Sequence, residues 1–229
     1  MRILAIDTSC GAASVAVLDS EAVEPLAALS RAMARGHAEK LPQMVEDAMR
    51  GAEGGLASLD RIAVTIGPGS FTGIRIGVAM AGAMGIALAI PVIGVSTLAA
   101  FAAPLLSEPR PGIIAAAIDA RHASVYFQVF EPSGRPLGPP RCDSVRECVR
   151  GIGAGPALLV GTAAAIVADE AHRAGLPYDL SAAADSPDIM AVARMGLALD
   201  PAASPARPLY VKPPDARPSA ADSVAGASV

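Results

Sequence analysis

The chain's 229 residues suffice for one large domain or two of roughly 100–120 residues each, and a hydrophobic content of 52% excludes intrinsic disorder over most of that length. A net charge of −4, with no Lys/Arg cluster, excludes unaided binding to a phosphate backbone, so any nucleic acid is reached through a partner. Three cysteines (Cys10, Cys142, Cys148) form no CxxC pair and leave one over, which argues against a disulfide frame or zinc site and for a reducing compartment. With 50 Ala, 22 Gly and only 3% aromatics, the core is expected to be built from small aliphatic side chains with closely approaching helices.

In chain order, Arg2–Asp7 reads as a buried strand and Ala12–Leu18 as its hairpin partner, with a weaker strand near Pro25–Ser30. MRILAIDTS is no signal peptide, because Asp7 breaks its short apolar run. The spacing of Leu41, Met44, Val45 and Ala48 predicts a helix from His37 to about Met49. A strand over Arg61–Ile66, a GPGS turn at Gly67, Pro68, Gly69 and Ser70, and a helix over Phe71–Ala89 follow. Pro91–Val95 reads as a strand and Ser96 as the cap of a helix through Leu106. Residues 76–107 carry no charge, but Pro91, the Ala/Gly composition and the missing aromatic belt speak for a buried helix and strand rather than a membrane span.

The pattern then restarts. Gly112–Asp119 and Ala123–Phe130 repeat the strand, terminal Asp, turn and strand of the N-terminus. A Pro/Gly-rich loop over 131–141 with room for one edge strand, a strand at Pro156–Val160 and helices at Thr162–Ala174 and Asp188–Leu199 complete the reading. The duplication implies an α/β chain of two lobes, 1–108 and 109–212, like actin and the sugar kinases, with residues 213–229 as a disordered tail.

Several residue groups could carry chemistry. Asp7, Thr8 and Ser9, and Asp119 in the repeat, sit where such a cleft would hold a metal or phosphate; each Asp could equally cap its own loop, and Asp119 could pair with Arg121. GPGSFTGIRIG (Gly67–Gly77) lacks the Gly-Lys-Ser/Thr of a P-loop and the spacing of the dinucleotide fingerprint; its helix start suits an anion or a tight helix–sheet approach. Gly73, Gly77, Ala81 and Gly85 recur every fourth residue as a smooth stripe flanked by Met80 and Met84. That stripe admits either the chain's own His37 helix or a partner's helix. His37 has Leu41 where a metal site would place a second His one turn on, and GVSTL around Ser96 is no nucleophile elbow.

MRILAIDTS, the His37 helix, GPGSFTGIRIG, PVIGVSTL, the IDAR segment and PLYVKPPDA (Pro208–Ala216), in that order, resemble the bacterial TsaB (YeaZ) family. The resemblance covers residues 1 to about 216. It implies the duplicated actin-like ATPase fold (RNase H-like lobes) and a cytoplasmic, non-catalytic subunit in threonylcarbamoyladenosine (t6A) formation at adenosine 37 of tRNA. In that pathway the paralogue TsaD carries the metal on a His-xxx-His pair and transfers the threonylcarbamoyl group, and the ATPase TsaE joins the complex. No catalytic residue, resident metal or tightly bound cofactor is implied for this chain, only ATP or ADP at the complex junction. Contact with tRNA is indirect, and the isolated chain is implied to be a homodimer.

The resemblance places the contact with TsaD, or with a second copy, on the first two helices: His37, Leu41, Met44, Val45, Gly73, Ile76, Gly77, Met80, Ala81, Met84 and Gly85. Bulky residues at Gly77 and Gly85 would then block pairing and leave the monomer folded. A small-molecule kinase of the same fold and a glycopeptidase-like metalloenzyme are the alternatives. The first expects tight ATP binding by the monomer, the second a bound zinc.

Overall fold

The computed structural model describes residues 1–33, 35–107 and 112–212. The lobe boundary expected after residue 108 and the tail expected at 213–229 lie outside the described residues.

The first sheet contains β1 (Arg2–Asp7), β2 (Ala12–Asp19), β3 (Ala27–Ala32), β4 (Arg61–Gly67) and β5 (Val92–Ser96), in the order β3-β2-β1-β4-β5. The second contains β6 (Ile113–Asp119), β7 (Ser124–Phe130), β8 (Arg141–Ser144), β9 (Ala157–Val160) and β10 (Tyr178–Leu180), in the order β10-β9-β6-β7-β8. Read from the other edge, the second order is the first. β1 pairs antiparallel with β2 and parallel with β4, as β6 does with β7 and β9. The duplication expected from the two hairpins therefore extends through five strands each, and the fold is a duplicated actin-like one.

Helices α1 (His37–Met49) and α2 (Phe71–Leu88) cover one face of the first sheet. Leu41, Met44, Val45 and Ala48 of α1 join Leu4, Ile6, Val15, Val17 and Val64 in its core. Helix α3 (Thr97–Ala102), capped by the Ser96 hydroxyl, joins the lobes by packing Leu98, Phe101 and Ala102 on Ile114, Ala116, Ile118, Phe130 and Val160. Helices α4 (Val145–Ile152) and α5 (Ala164–Arg173) cover the outer face of the second sheet.

The division at 109–212 needs a correction. Helix α6 (Ile189–Ala198) lies on the first sheet, where Val192 and Ala193 pack with Ile3, Ala5, Ala16 and Ala63. Close approach at Gly196 makes this fit: a Cβ there would lie 2.4 Å from the Ala63 Cβ. The chain then runs as a strap along β5, with the Gly94 N–H donating to the Ser204 carbonyl (2.8 Å) and the Leu209 N–H to the Ile66 carbonyl (2.7 Å). The second lobe's sequence thus ends by completing the first lobe.

Among the described residues, α2 alone is long and apolar enough to cross a bilayer by length and composition. It lies against β4, β1, β5 and α1, and its opposite side is exposed. The helix expected to be buried is thus buried along the Gly73, Gly77, Ala81 and Gly85 side.

Candidate functional site

The C-terminal end of β1 is closed by α2. Asp7, Thr8 and Ser9 have no exposure to solvent. The Ser70 N–H donates to the Ser9 carbonyl (2.7 Å), and the Thr8 hydroxyl donates to the Gly73 carbonyl (2.7 Å). Ser70 caps α2 by accepting from the Gly73 N–H (3.2 Å). These bonds consume groups that an anion at the helix start would need.

The glycines let the elements touch. A Cβ on Gly69 would lie 2.1 Å from the Ser9 carbonyl oxygen, and one on Gly73 only 1.9 Å from that of Thr8. GPGSFTG is therefore a seal over the β1 turn. This corrects the phosphate-contact reading of Asp7, Thr8 and Ser9, whose groups face inward. Asp119 does lie in the open at the end of β6, but its carboxylate accepts from the Arg121 backbone N–H (2.7 Å) rather than pairing with the guanidinium. The hairpin beyond it runs through positive φ at Arg121, His122 and Ala123.

Asp7 Oδ1 accepts from the Ser9 N–H (3.0 Å), the Ser9 hydroxyl (2.5 Å) and the Thr65 hydroxyl (2.6 Å). Its Oδ2 is buried without a partner among the described residues, as is His37 Nε2. Burial drives the Asp7 carboxyl above the usual carboxylate range, against the pull of the Ser9 and Thr65 hydrogen bonds and the charge of His37.

A raised folded-state pKa means that the native protein holds this proton more tightly than the unfolded chain does. The resulting stability is complete below the unfolded carboxylate value and is lost as pH rises from there through the raised folded value. Asp7→Asn keeps an acceptor for the three donors and removes the charge. The advantage of the variant over the parent in thermal midpoint should grow as pH rises from about 4. A difference constant across pH in melting experiments would refute this account.

The residues do not fit the TsaD-type metal. Leu41, on the turn after His37, is wholly buried in the core and offers no donor atom. Among the described residues, no three His, Cys, Asp or Glu side chains converge as a metal cluster. Cys10 and Cys148 are poor nucleophiles, since burial pushes the Cys10 thiol up and the Cys148 thiol up to about 12.

The expected partner residues divide sharply. His37, Leu41, Met44 and Val45 on α1 and Gly73, Gly77, Ala81 and Gly85 on α2 are buried in the chain's own interior. A Cβ on Gly77 would lie 2.5 Å from the Thr8 hydroxyl oxygen, and one on Gly85 2.3 Å from Val92 Cγ2. The smooth stripe is thus the face by which α2 meets its own sheet, and bulky residues at Gly77 and Gly85 would damage the monomer itself. Ile76, Met80 and Met84 are half-buried flanks of the core.

The outward face of α2 is formed by Arg75, Ala79, Ala83, Ile86 and Ala87, which the sequence reading passed over. Ile86 is 86% exposed. The signal was present: positions 75, 79, 83 and 86 form their own stripe opposite the glycines.

Two matching lobes and a sealed β1 turn define a duplicated actin-like protein, and the outward face of α2 is exposed. A family model described as TsaD, tRNA N6-adenosine threonylcarbamoyltransferase, matches residues 29–187. The chain belongs to this family of actin-like proteins.

It is 37% identical over 131 residues to the tRNA threonylcarbamoyladenosine biosynthesis protein TsaB of Escherichia coli, a stretch covering 57% of this chain and 55% of that protein. The chain thus spans about half the length of this curated relative. An uncharacterised Mycobacterium tuberculosis protein is 33% identical over 220 residues, 95% of each chain. The solved structure of YeaZ from Pseudomonas aeruginosa superposes with a TM-score of 0.72 at 29% identity, covering 91% of this chain and 99% of that one.

Proposed function

We propose that the chain is the TsaB-type subunit of a t6A-forming assembly and pairs through the outer face of α2 with a TsaD-type subunit that performs the transfer to adenosine 37. The supporting observation is the apolar α2 flank, Ala79, Ala83, Ile86 and Ala87, which a monomer has little reason to leave in water. The names of the TsaB relatives point to the pathway.

The chain's own contribution is differential binding. By docking, it favours the competent conformation of the catalytic subunit and completes the surface that receives a TsaE-type ATPase. The metal belongs to the catalytic subunit, whose His pair has no counterpart at His37 and Leu41. Adenine nucleotide is held at the subunit junction, tRNA is met through the assembly, and the compartment is the cytoplasm. Without its partner, the chain covers the same α2 face with a second copy.

The kinase alternative is disfavoured by the burial of Asp7, Thr8 and Ser9, which leaves no open phosphate turn at β1. Size-exclusion chromatography with light scattering, with and without the cognate TsaD, decides between the readings. A heteromer that restores t6A formation on tRNA is expected. No association, together with tight ATP binding by the isolated chain, would overturn the proposal.

A further inference from the structure

Arg75 is the single charge on α2, and aromatic rings rather than a carboxylate hold it in place. Its guanidinium carbon lies 3.6 Å from the centre of the Phe71 ring and 5.7 Å from that of Tyr210. Its Nε donates to the Tyr210 hydroxyl (2.9 Å). The two ring centres are 5.2 Å apart. Phe71 is 38% and Tyr210 45% exposed, although the whole chain has only four Phe, three Tyr and no Trp.

Tyr210 reaches this position because the strap along β5 is pinned at Ser204 and Leu209. The cluster therefore joins the start of α2 to a segment 135 residues later.

Arg2, Arg50, Arg135, Arg141, Arg146, Arg150 and Arg173 all have carboxylate partners. Arg75 has none among the described residues. With Nε engaged, Nη1 and Nη2 stay open, and their fork matches the two oxygens of a carboxylate. Stacking fixes the guanidinium in advance, so little side-chain entropy is lost when an anion arrives. Arg75 also shares the outward face with Ala79, Ala83 and Ile86.

We propose that Arg75, held by Phe71 and Tyr210, is the polar anchor of the α2 docking face and receives an aspartate or glutamate side chain of the protein subunit bound there. This rests on the pairing reading above and adds the chemistry of the partner's contact. A protein carboxylate is favoured over a nucleic-acid phosphate because the chain is net negative and Arg75 has no basic neighbours on α2. Arg, Tyr and Phe beside an apolar face are also the usual composition of an interface anchor.

The test is the affinity of the full chain for the cognate TsaD-type subunit by titration calorimetry at low and high salt, with thermal melts to confirm folding. Arg75→Gln should weaken pairing at least about tenfold and flatten its salt dependence. Arg75→Lys should recover little, because an ammonium cannot fork. Tyr210→Phe, which keeps the ring and frees the guanidinium, should fall between Arg75→Gln and the parent.

Parent-like affinity for Arg75→Gln alongside loss of pairing by Ile86→Glu would overturn the anchor and leave the pairing reading standing. Parent-like affinity for both would overturn both. Unchanged protein pairing with weakened tRNA retention by Arg75→Gln would mark the group as a phosphate contact and likewise overturn the proposal.

Discussion

Gly73→Ala should destabilise the protein by about 3 kcal/mol or more, whereas Gly82→Ala on the same helix should stabilise it by up to about 1 kcal/mol. The substitutions are chemically identical and differ in what the new methyl meets. At Gly73 it would lie 1.9 Å from the Thr8 carbonyl oxygen and 3.1 Å from its carbon. Those are backbone atoms of a turn pinned by the Ser9 carbonyl, the Thr8 hydroxyl and the Asp7 carboxylate, so no side chain can swing away. Relief requires α2 to lift off β1, which would expose Ile6 and Val64 and break the cap at Ser70. At Gly82 nothing lies within 4 Å, and alanine gains the helix propensity that glycine lacks. Urea unfolding of the two variants measures both signs. Equal effects would mean that GPGSFTG does not seal the β1 turn. Since small folded domains are stable by only about 5–15 kcal/mol, the Gly73 change should also reduce the soluble yield.

The sequence reading was strongest where a hydrophobic period met a clear stop. β1 and α1 were read at the bounds the structure gives, because Asp7 ends an unbroken apolar run and Leu41, Met44, Val45 and Ala48 follow one helical face. The duplication was legible from the two hairpins because antiparallel neighbours are close in sequence. Helix α4 was missed although Ser144 and Glu147 mark its start, with the Ser144 hydroxyl accepting from the Glu147 N–H (3.3 Å). It is only 8 residues long, about two turns, which is too short for a helical period to stand out after a Pro/Gly-rich tract. The return of α6 to the first sheet was invisible, since no local pattern states which sheet an amphipathic helix covers.

At the candidate site, the error lay in assigning the two faces of α2. Gly, Ala and Met on one side and Ala and Ile on the other are all apolar, so periodicity identifies two stripes without ranking them. Only the contacts of Gly73, Gly77 and Gly85 reveal which one is internal. The Arg75 cluster depends on a strap whose course is set by the Gly94 and Ile66 backbone, and spacing gave no hint of it.

Ile86→Glu should abolish pairing with the TsaD-type subunit, weakening it at least about 100-fold, and leave the melting temperature within a degree or two of the parent's. Ile86 is 86% exposed, so its side chain contributes little to the folded monomer that a carboxylate would forfeit. In a docked complex it would lie one turn beyond Ala83 on the same outward face, where a charge without a partner carries a desolvation cost of several kcal/mol. Gly85→Leu, one residue away, should fail for the opposite reason. Its side chain would drive into Val92 and the Ile90 carbonyl, so the loss should be visible in the monomer's melt before any partner is added. Calorimetric titration and melting of both variants therefore separate a surface defect from a core defect on one helix. Parent-like pairing by Ile86→Glu would mean that the assembly forms elsewhere on this chain. The exposed charged side of α1, with Glu39, Lys40 and Glu46, would then be the next surface to vary.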